Sequence, residues 1–338
     1  MSHSLSVGND SGRFDVLDGW RGLSILLVLS AHLLPVGPKK WELNSVCSLL
    51  GMAIFFTLSG FLITSFLLKR NNVVDFLIRR TFRIVPLVWV FIAVALFYIG
   101  ASSDKFIPHL LFYANLPPFY ITKVTSHLWS VCVEMQFYFG IALIFGLLGA
   151  RGLMVLPILA VGFTILRVSW GVHDSIVSWF RIDEILAGCT LSLAFHGKLG
   201  SMPMKILQRL NPYVVLAVFT VACHPLGGFM NYLRPYFAAI LVGVTMVPSD
   251  RFITRALVSS RLKYVAEVSF ALYVIHPLLA NTWLGSGGTV EKYLKRPLLF
   301  AAIFGLAHFS TFQFEHRCIA TGKRLSNALR GIGKMKSA

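Results

Sequence analysis

Apolar positions in this chain do not alternate with polar ones; they run on. Ten stretches, near residues 20–36, 46–68, 84–100, 128–149, 152–167, 180–196, 212–227, 232–248, 264–285 and 297–314, are apolar almost throughout and are separated by more polar connections. A bilayer core of about 30 Å takes about 20 apolar residues per helix, so most of these stretches are long enough and those at 20–36, 152–167 and 180–196 are short. Long unalternating runs suit helices, which satisfy their own backbone in lipid, better than barrel strands. The pattern predicts an all-α, polytopic integral membrane protein of about ten transmembrane helices. Composition agrees: 56% of the 338 residues are apolar, 13% are charged and the mean hydropathy is +0.72. An ordinary soluble domain carries about 25% charged residues.

A net charge of +17 on a soluble protein would suggest nucleic acid. Here the alternation of loops explains it. With the N-terminus inside, 21 of the 31 Lys and Arg fall on cytoplasmic segments, as the positive-inside rule requires. An even helix count keeps that pattern, so both termini are expected in the cytoplasm and no nucleic-acid partner is expected. Residues 1–16 are polar and lack the charged-then-apolar order of a signal peptide, which leaves the first helix as the insertion signal. The expected organisation is a polar cytoplasmic N-terminus (1–16), a membrane domain (17–316) and a basic cytoplasmic tail (317–338), with no appended soluble domain. Cys47, Cys132, Cys189, Cys223 and Cys318 have neither metal-ligand spacing nor a disulfide framework, and read as packing residues; no metal is expected.

Ionisable groups inside spans are costly, and each is a functional candidate. The set is His32, Glu134, Glu267, His276 and His308, with Arg181, Asp183 and Glu184 at the edge of the sixth stretch. The first stretch, "LDGWRGLSILLVLSAH", pairs Asp18 with Arg21 and places His32 eleven residues after Arg21. Eleven helical steps return almost to the same face with a rise of roughly 16 Å. On an outward first helix and an inward fourth one, His32 and Glu134 fall at depths that agree within a helical turn. A histidine oriented by a carboxylate is a general-base arrangement, and a buried His–Glu pair that merely joins two helices has the same signature. In "FLIRRTFRIVP", Arg79, Arg80 and Arg83 lie at the expected cytoplasmic entrance of the third helix. Guanidinium groups there suit the phosphates of a nucleotide-bearing cosubstrate, and equally serve as topology anchors. His127 and Glu134 share a face of the fourth helix, whose Trp129 and Tyr138 suit a membrane interface. His276 precedes Pro277, where it can satisfy backbone groups that the proline frees.

Taken in order, "LDGWRG" with His32, "FFTLSGFLIT", "RRTFRIVP", "HLWSVCVEMQFYF" and "VSFALYVIHPLL" resemble the membrane-bound acyltransferase-3 family over roughly residues 14–316. The resemblance implies a ten-helix enzyme of the cytoplasmic membrane. It would take an acyl group, usually acetyl, from cytoplasmic acyl-CoA as cosubstrate and pass it to a hydroxyl of a glycan, lipid-linked sugar or small molecule. It implies His32 and Glu134 as catalytic residues and Arg21, Arg79, Arg80 and Arg83 as donor-binding residues. Asp18, Ser59, His127, Trp129, Gln136 and His276 would support them. Where many members carry a second acidic residue after the first, this chain has Met135. A bacterial surface polysaccharide or its lipid-linked precursor is the expected acceptor, with a small molecule such as a macrolide as the alternative. A proton-coupled transporter would also use intramembrane His and Glu, but has no need of three arginines set against a same-face Arg–His pair.

Reporter fusions ending at residues 75 and 335 are expected to give a cytoplasmic signal. Reactivity from the far side of the membrane at either point would reverse the orientation.

Overall fold

The structure is a computed structural model that describes residues 15–249 and 251–335. Most of the expected polar N-terminus, residues 1–14, lies outside the described residues, as do residue 250 and residues 336–338 of the basic tail. Each of the ten apolar segments carries a helix, and no strand occurs among the described residues. The helices of ten residues or more are α1 (Asp15–Leu33), α2 (Leu43–Arg70), α3 (Val73–Tyr98), α4 (Trp129–Gly152), α5 (Leu156–Ser169), α6 (Ile182–Phe195), α7 (Pro212–Ala222), α8 (Met230–Met246), α9 (Ser260–Ala280), α10 (Arg296–Phe309) and α11 (His316–Met335).

Among the described residues, six helical runs are long and apolar enough to cross a membrane: Asp15–Leu33, Leu43–Arg70, Val73–Tyr98, Ser126–Ser169, Ser260–Ala280 and Arg296–Arg330. The fourth run holds two expected spans, and is broken at Gly149, whose φ of 60° lies where side chains are strained and glycine is not. The segments expected at 180–196, 212–227 and 232–248 are helices of 14, 11 and 17 residues. At 1.5 Å per residue these reach roughly 17–26 Å, short of a hydrocarbon core of about 30 Å.

Two compact units divide the chain. The first comprises the chain through Ser65, Met154–Ser175 and Trp179–Ser269, which gathers α1, most of α2, α5 to α8 and the start of α9. Its core is aliphatic and aromatic, built on Trp20, Ile54, Phe61, Phe219 and Leu241. The buried Trp20 indole donates to Thr245 Oγ1 at 2.8 Å, a partner it needs where no water reaches. Helices α2 and α6 approach at two glycines. A Cβ at Gly60 would lie 1.9 Å from the carbonyl oxygen of Ile185, and one at Gly188 2.0 Å from that of Thr57. Small residues let backbones come this close, which matters in lipid because packing rather than hydrophobicity holds helices together. Farther along the same pair of helices, the Ser65 and Ser192 hydroxyls bond at 2.8 Å.

The second unit comprises Phe66–Leu153, Ile176–Ser178 and the chain from Phe270 on, with α3, α4, α10 and α11 as its principal helices. Helix α3 starts at Val73, well before the expected residue 84, because Asn72 caps it by accepting from the Asp75 amide at 2.8 Å. The basic segment after residue 316 is a helix seated on α3, with Gly322 against Phe82. Asp75, buried in the first turn of α3, fastens it by accepting from Ser326 and Arg330.

Gly60→Ala or Gly188→Ala is expected to force α2 and α6 apart, at a cost of about 1–3 kcal/mol typical of overpacking. Gly140→Ala, at a site with open space around it, should leave stability unchanged or slightly raised. Thermal melting of the detergent-purified variants checks this; equal melting of all three would remove the close approach from the account.

Candidate functional site

In the first unit the chain ends α1 just past His32. Asn44, at the start of α2, pins that end: its Nδ2 donates to the carbonyls of Ala31 and Leu34 at 2.7 Å, and its Oδ1 accepts from the Val36 amide at 3.3 Å. These bonds satisfy carbonyls that a helix terminus leaves open. His32 faces a cavity of about 550 Å³, lined also by Ser48 of α2, by His173 and Asp174 of the α5–α6 connection, and by Asn231 and Arg234 of α8. Every one of these residues lies at the end of α1, α5 or α7 or at the start of α2 or α8. The cavity therefore opens at one end of the unit, while Asp18 and Arg21, paired at 3.7 Å, sit near the other end of α1.

Behind the cavity lies a buried ionic cluster. Arg234 Nε donates to Glu184 at 2.9 Å, Arg181 reaches the same carboxylate at 3.5 Å, and Arg167 donates to Asp183 at 2.6 Å. Asp174 pairs with Arg181 and lies 3.8 Å from Arg234. Three guanidiniums thus meet three carboxylates, which is the condition under which charge tolerates burial. Arg167 also donates to the carbonyls of His173 and Asn231, at 2.9 and 3.3 Å, and so fixes the connection that carries Asp174. Asn231 Nδ2 donates to Ala222 and His224 carbonyls and closes the end of α7. Arg234 Nη2 and Asn231 Oδ1 have no hydrogen-bond partner among the described residues. Desolvation opposes ionisation of Asp174, but Arg181 and Arg234 outweigh it and hold its carboxyl below the ordinary carboxylate range.

In the second unit the arginines of α3 separate. Arg79 donates to Asp75 and, at 3.3 Å, to Asn327 of α11. Arg80 lies over the Tyr138 ring at 5.6 Å, and no carboxylate pairs with it among the described residues. Arg83 is half-buried within electrostatic range of Glu134 and Glu315, with Arg80 beside it. Glu134 is buried and accepts from the Tyr138 hydroxyl at 2.6 Å. Glu315 accepts from Ser310 and Thr311 at 3.2 and 3.1 Å, in a π-helical turn that joins α10 to α11. Such turns often mark functional positions.

These arginines lie within α3 and not before it. Because the helix begins at Val73, Arg83 is ten residues along it, about 15 Å in, and meets Glu134 of α4. The rest of the α4 motif is held locally. His127 packs among Phe91, Tyr273 and His276, with ring centroids 5.3–5.6 Å apart, and its Nε2 lies 3.2 Å from the Val274 carbonyl. Ser130 bonds Tyr273 at 2.7 Å. Gln136 donates to Phe112 O and Asn115 Oδ1 and accepts from Ser178, so it ties two connections to α4. His276 Nδ1 lies 3.1 Å from Leu272 O in the turn that Pro277 disturbs. Trp129 is half-buried at the start of α4, and Ser59 is buried in α2.

Sequence reasoning missed Asp174, Asn231, Arg234 and Glu315. Arg234 carried a signal, a lone charge inside the apolar stretch 232–248. Asp174 and Asn231 sit among loop and helix-start residues with no pattern of their own.

The family model described as "Acyltransferase domain" matches residues 14–312. The chain is 25% identical to a peptidoglycan O-acetyltransferase, OatA, of Listeria monocytogenes, over 88% of this chain and 54% of that protein. It is 29% identical to the putative peptidoglycan O-acetyltransferase YrhL of Bacillus subtilis, over 77% of this chain and 47% of that one. It is 22% identical to nodulation protein 10 of Rhizobium leguminosarum bv. viciae, over 73% and 76% respectively. The chain spans about half the length of the Listeria and Bacillus relatives. No solved structure matches.

The different surroundings of the α3 arginines set their expected effects on stability. Asp75→Asn leaves Arg79 and Arg330 without their shared carboxylate and should lower the melting temperature markedly, breaking a buried pair costing about 3–5 kcal/mol. Arg80→Ala removes a ring contact and should move it little. Melting curves of the two variants check this, and a larger loss in Arg80→Ala would overturn the assignment.

Proposed function

This chain belongs to the acyltransferase family, whose domain it carries over residues 14–312, and from that membership we propose that it is a membrane-bound O-acyltransferase acting on a glycan. In this reading the donor is acyl-CoA, with acetyl as the group transferred, presented from the cytoplasm. The acceptor is a hydroxyl of a surface polysaccharide or of its lipid-linked precursor. The names of the Listeria and Bacillus relatives support a cell-wall glycan as acceptor class. Ten crossings with both termini in the cytoplasm, in the inner membrane, complete the proposal.

The observation that carries it is His32 at a cavity lined by hydrogen-bonding groups. An imidazole there takes the proton of an acceptor hydroxyl as its oxygen attacks the thioester carbonyl. The ester C–O bond forms, the C–S bond breaks, and the departing sulfur takes the proton back, which restores the neutral imidazole. Glu134 is the carboxylate we assign to the same reaction. Arg80 of α3 forms no ion pair with a carboxylate among the described residues and lies against an aromatic ring, which supports it as a ligand of donor phosphates. Arg83 adds positive charge beside it, whereas Arg79 is engaged by Asp75.

His32→Ala is expected to cut acyl transfer at least a hundredfold, the lower range for losing a general base, with expression and melting little changed. Glu134→Gln should also lose much of the activity. Acetyl-CoA consumption by the purified variants with a glycan acceptor measures both. Normal transfer by folded His32→Ala protein would sink the mechanism.

A further inference from the structure

The cavity at His32 carries a chemical preference beyond the presence of a base. Its size falls within the range of pockets that seat small ligands. Its charges are already matched. The Arg234 guanidinium is bonded to Glu184 at 2.9 Å and lies 3.8 Å from Asp174, so it is not a bare cation waiting for an anion. The charged oxygens that face the opening belong to Asp174, whose side chain is 59% exposed. A carboxylate or phosphate entering here would meet that like charge. Around the opening stand the Ser45 and Ser48 hydroxyls of α2, which donate as well as accept. A hydroxyl both donates and accepts, so a polyol can answer a mixed set of this kind, whereas an anion can only accept.

We propose that this cavity is the acceptor subsite and that it selects an uncharged, hydroxyl-rich sugar over an anionic one, with Asp174 accepting from sugar hydroxyls and the Ser48 hydroxyl exchanging a hydrogen bond with one. The proposal rests on the acyltransferase reading, since it takes His32 to be the base that acts on the seated sugar. Asp174 is the specificity-determining residue. It belongs to a fixed connection, because Arg167 and Arg181 hold that segment from both sides.

The test is binding without donor, on the full chain in detergent, followed by saturation-transfer NMR. The probes are a neutral tetramer of N-acetylglucosamine and a tetramer of galacturonic acid. The neutral tetramer is expected to bind at least tenfold more tightly. Asp174→Asn should weaken it about tenfold, in keeping with loss of hydrogen bonds to a charged group, and should narrow the gap between the two probes. Ser48→Trp, which fills the cavity from α2, should abolish binding with the melting temperature kept; it serves as the second variant if Asp174→Asn fails to fold. Equal or tighter binding of the uronate, undiminished binding by Ser48→Trp, or no binding of either sugar would overturn the proposal. Protein that consumes acetyl-CoA but shows no neutral preference would overturn the specificity alone. Neutral-sugar binding without acetyl-CoA consumption would instead overturn the acyltransferase reading.

Discussion

Within the first unit, Arg167, Arg181 and Arg234 are each no more than about one per cent exposed, and they meet Asp174, Asp183 and Glu184 in one ionic cluster. A lone guanidinium at such a site would be prohibitive; matched to carboxylates, it is tolerable. The match has structural consequences. Arg167 closes α5, Arg181 and the two acids open α6, and Arg234 belongs to the first turns of α8, so charge balance dictates how these helix ends converge. The spare donors of Arg167 then fix the Val172 and His173 carbonyls of the α5–α6 connection. That connection carries His173 and Asp174 to the cavity where His32 stands. The position of the candidate acceptor groups thus depends on the need to neutralise buried charge.

The second unit meets the same constraint with different partners. Asp75 is one buried carboxylate shared by Arg79, Arg330 and, at 3.5 Å, Arg70. It holds α11 to α3 and engages Arg79. Arg83, deeper in the helix, lies within range of Glu134 and Glu315, so its charge too has company. Arg80 remains against an aromatic face, which stabilises a cation without neutralising it. Three arginines that stand together in the chain therefore have three separate environments. Among the described residues Arg79 is paired with a carboxylate, whereas Arg80 and Arg83 form no ion pair.

Much of this molecule was legible in the residue order. Apolar runs without alternation marked the helices, because in lipid a backbone must satisfy itself. The family resemblance, tested by the domain match over residues 14–312, followed from short motifs in a fixed order. The helical period put His32 on the face of Arg21; that α1 ends at Leu33, one residue past it, came from the structure. Lengths were less legible: α3 begins at Val73 because a side-chain cap and an amphipathic first turn extend it, and hydropathy does not register a polar helical turn. The tail after residue 316 likewise read as a charged segment, although Asp75, distant in sequence, makes it a packed helix.

What the chain order settled by itself was which segments are helical and which side chains are costly to bury, since both follow from local chemistry. Which charges neutralise one another was decided by tertiary structure. Arg234 lies 50 residues from Glu184, and Arg330 lies 255 from Asp75. No periodicity links such positions; only the packing of helices brings them within bonding distance. For that reason the cavity, with His32 beside Asp174 and Arg234, belongs to the fold and not to any motif.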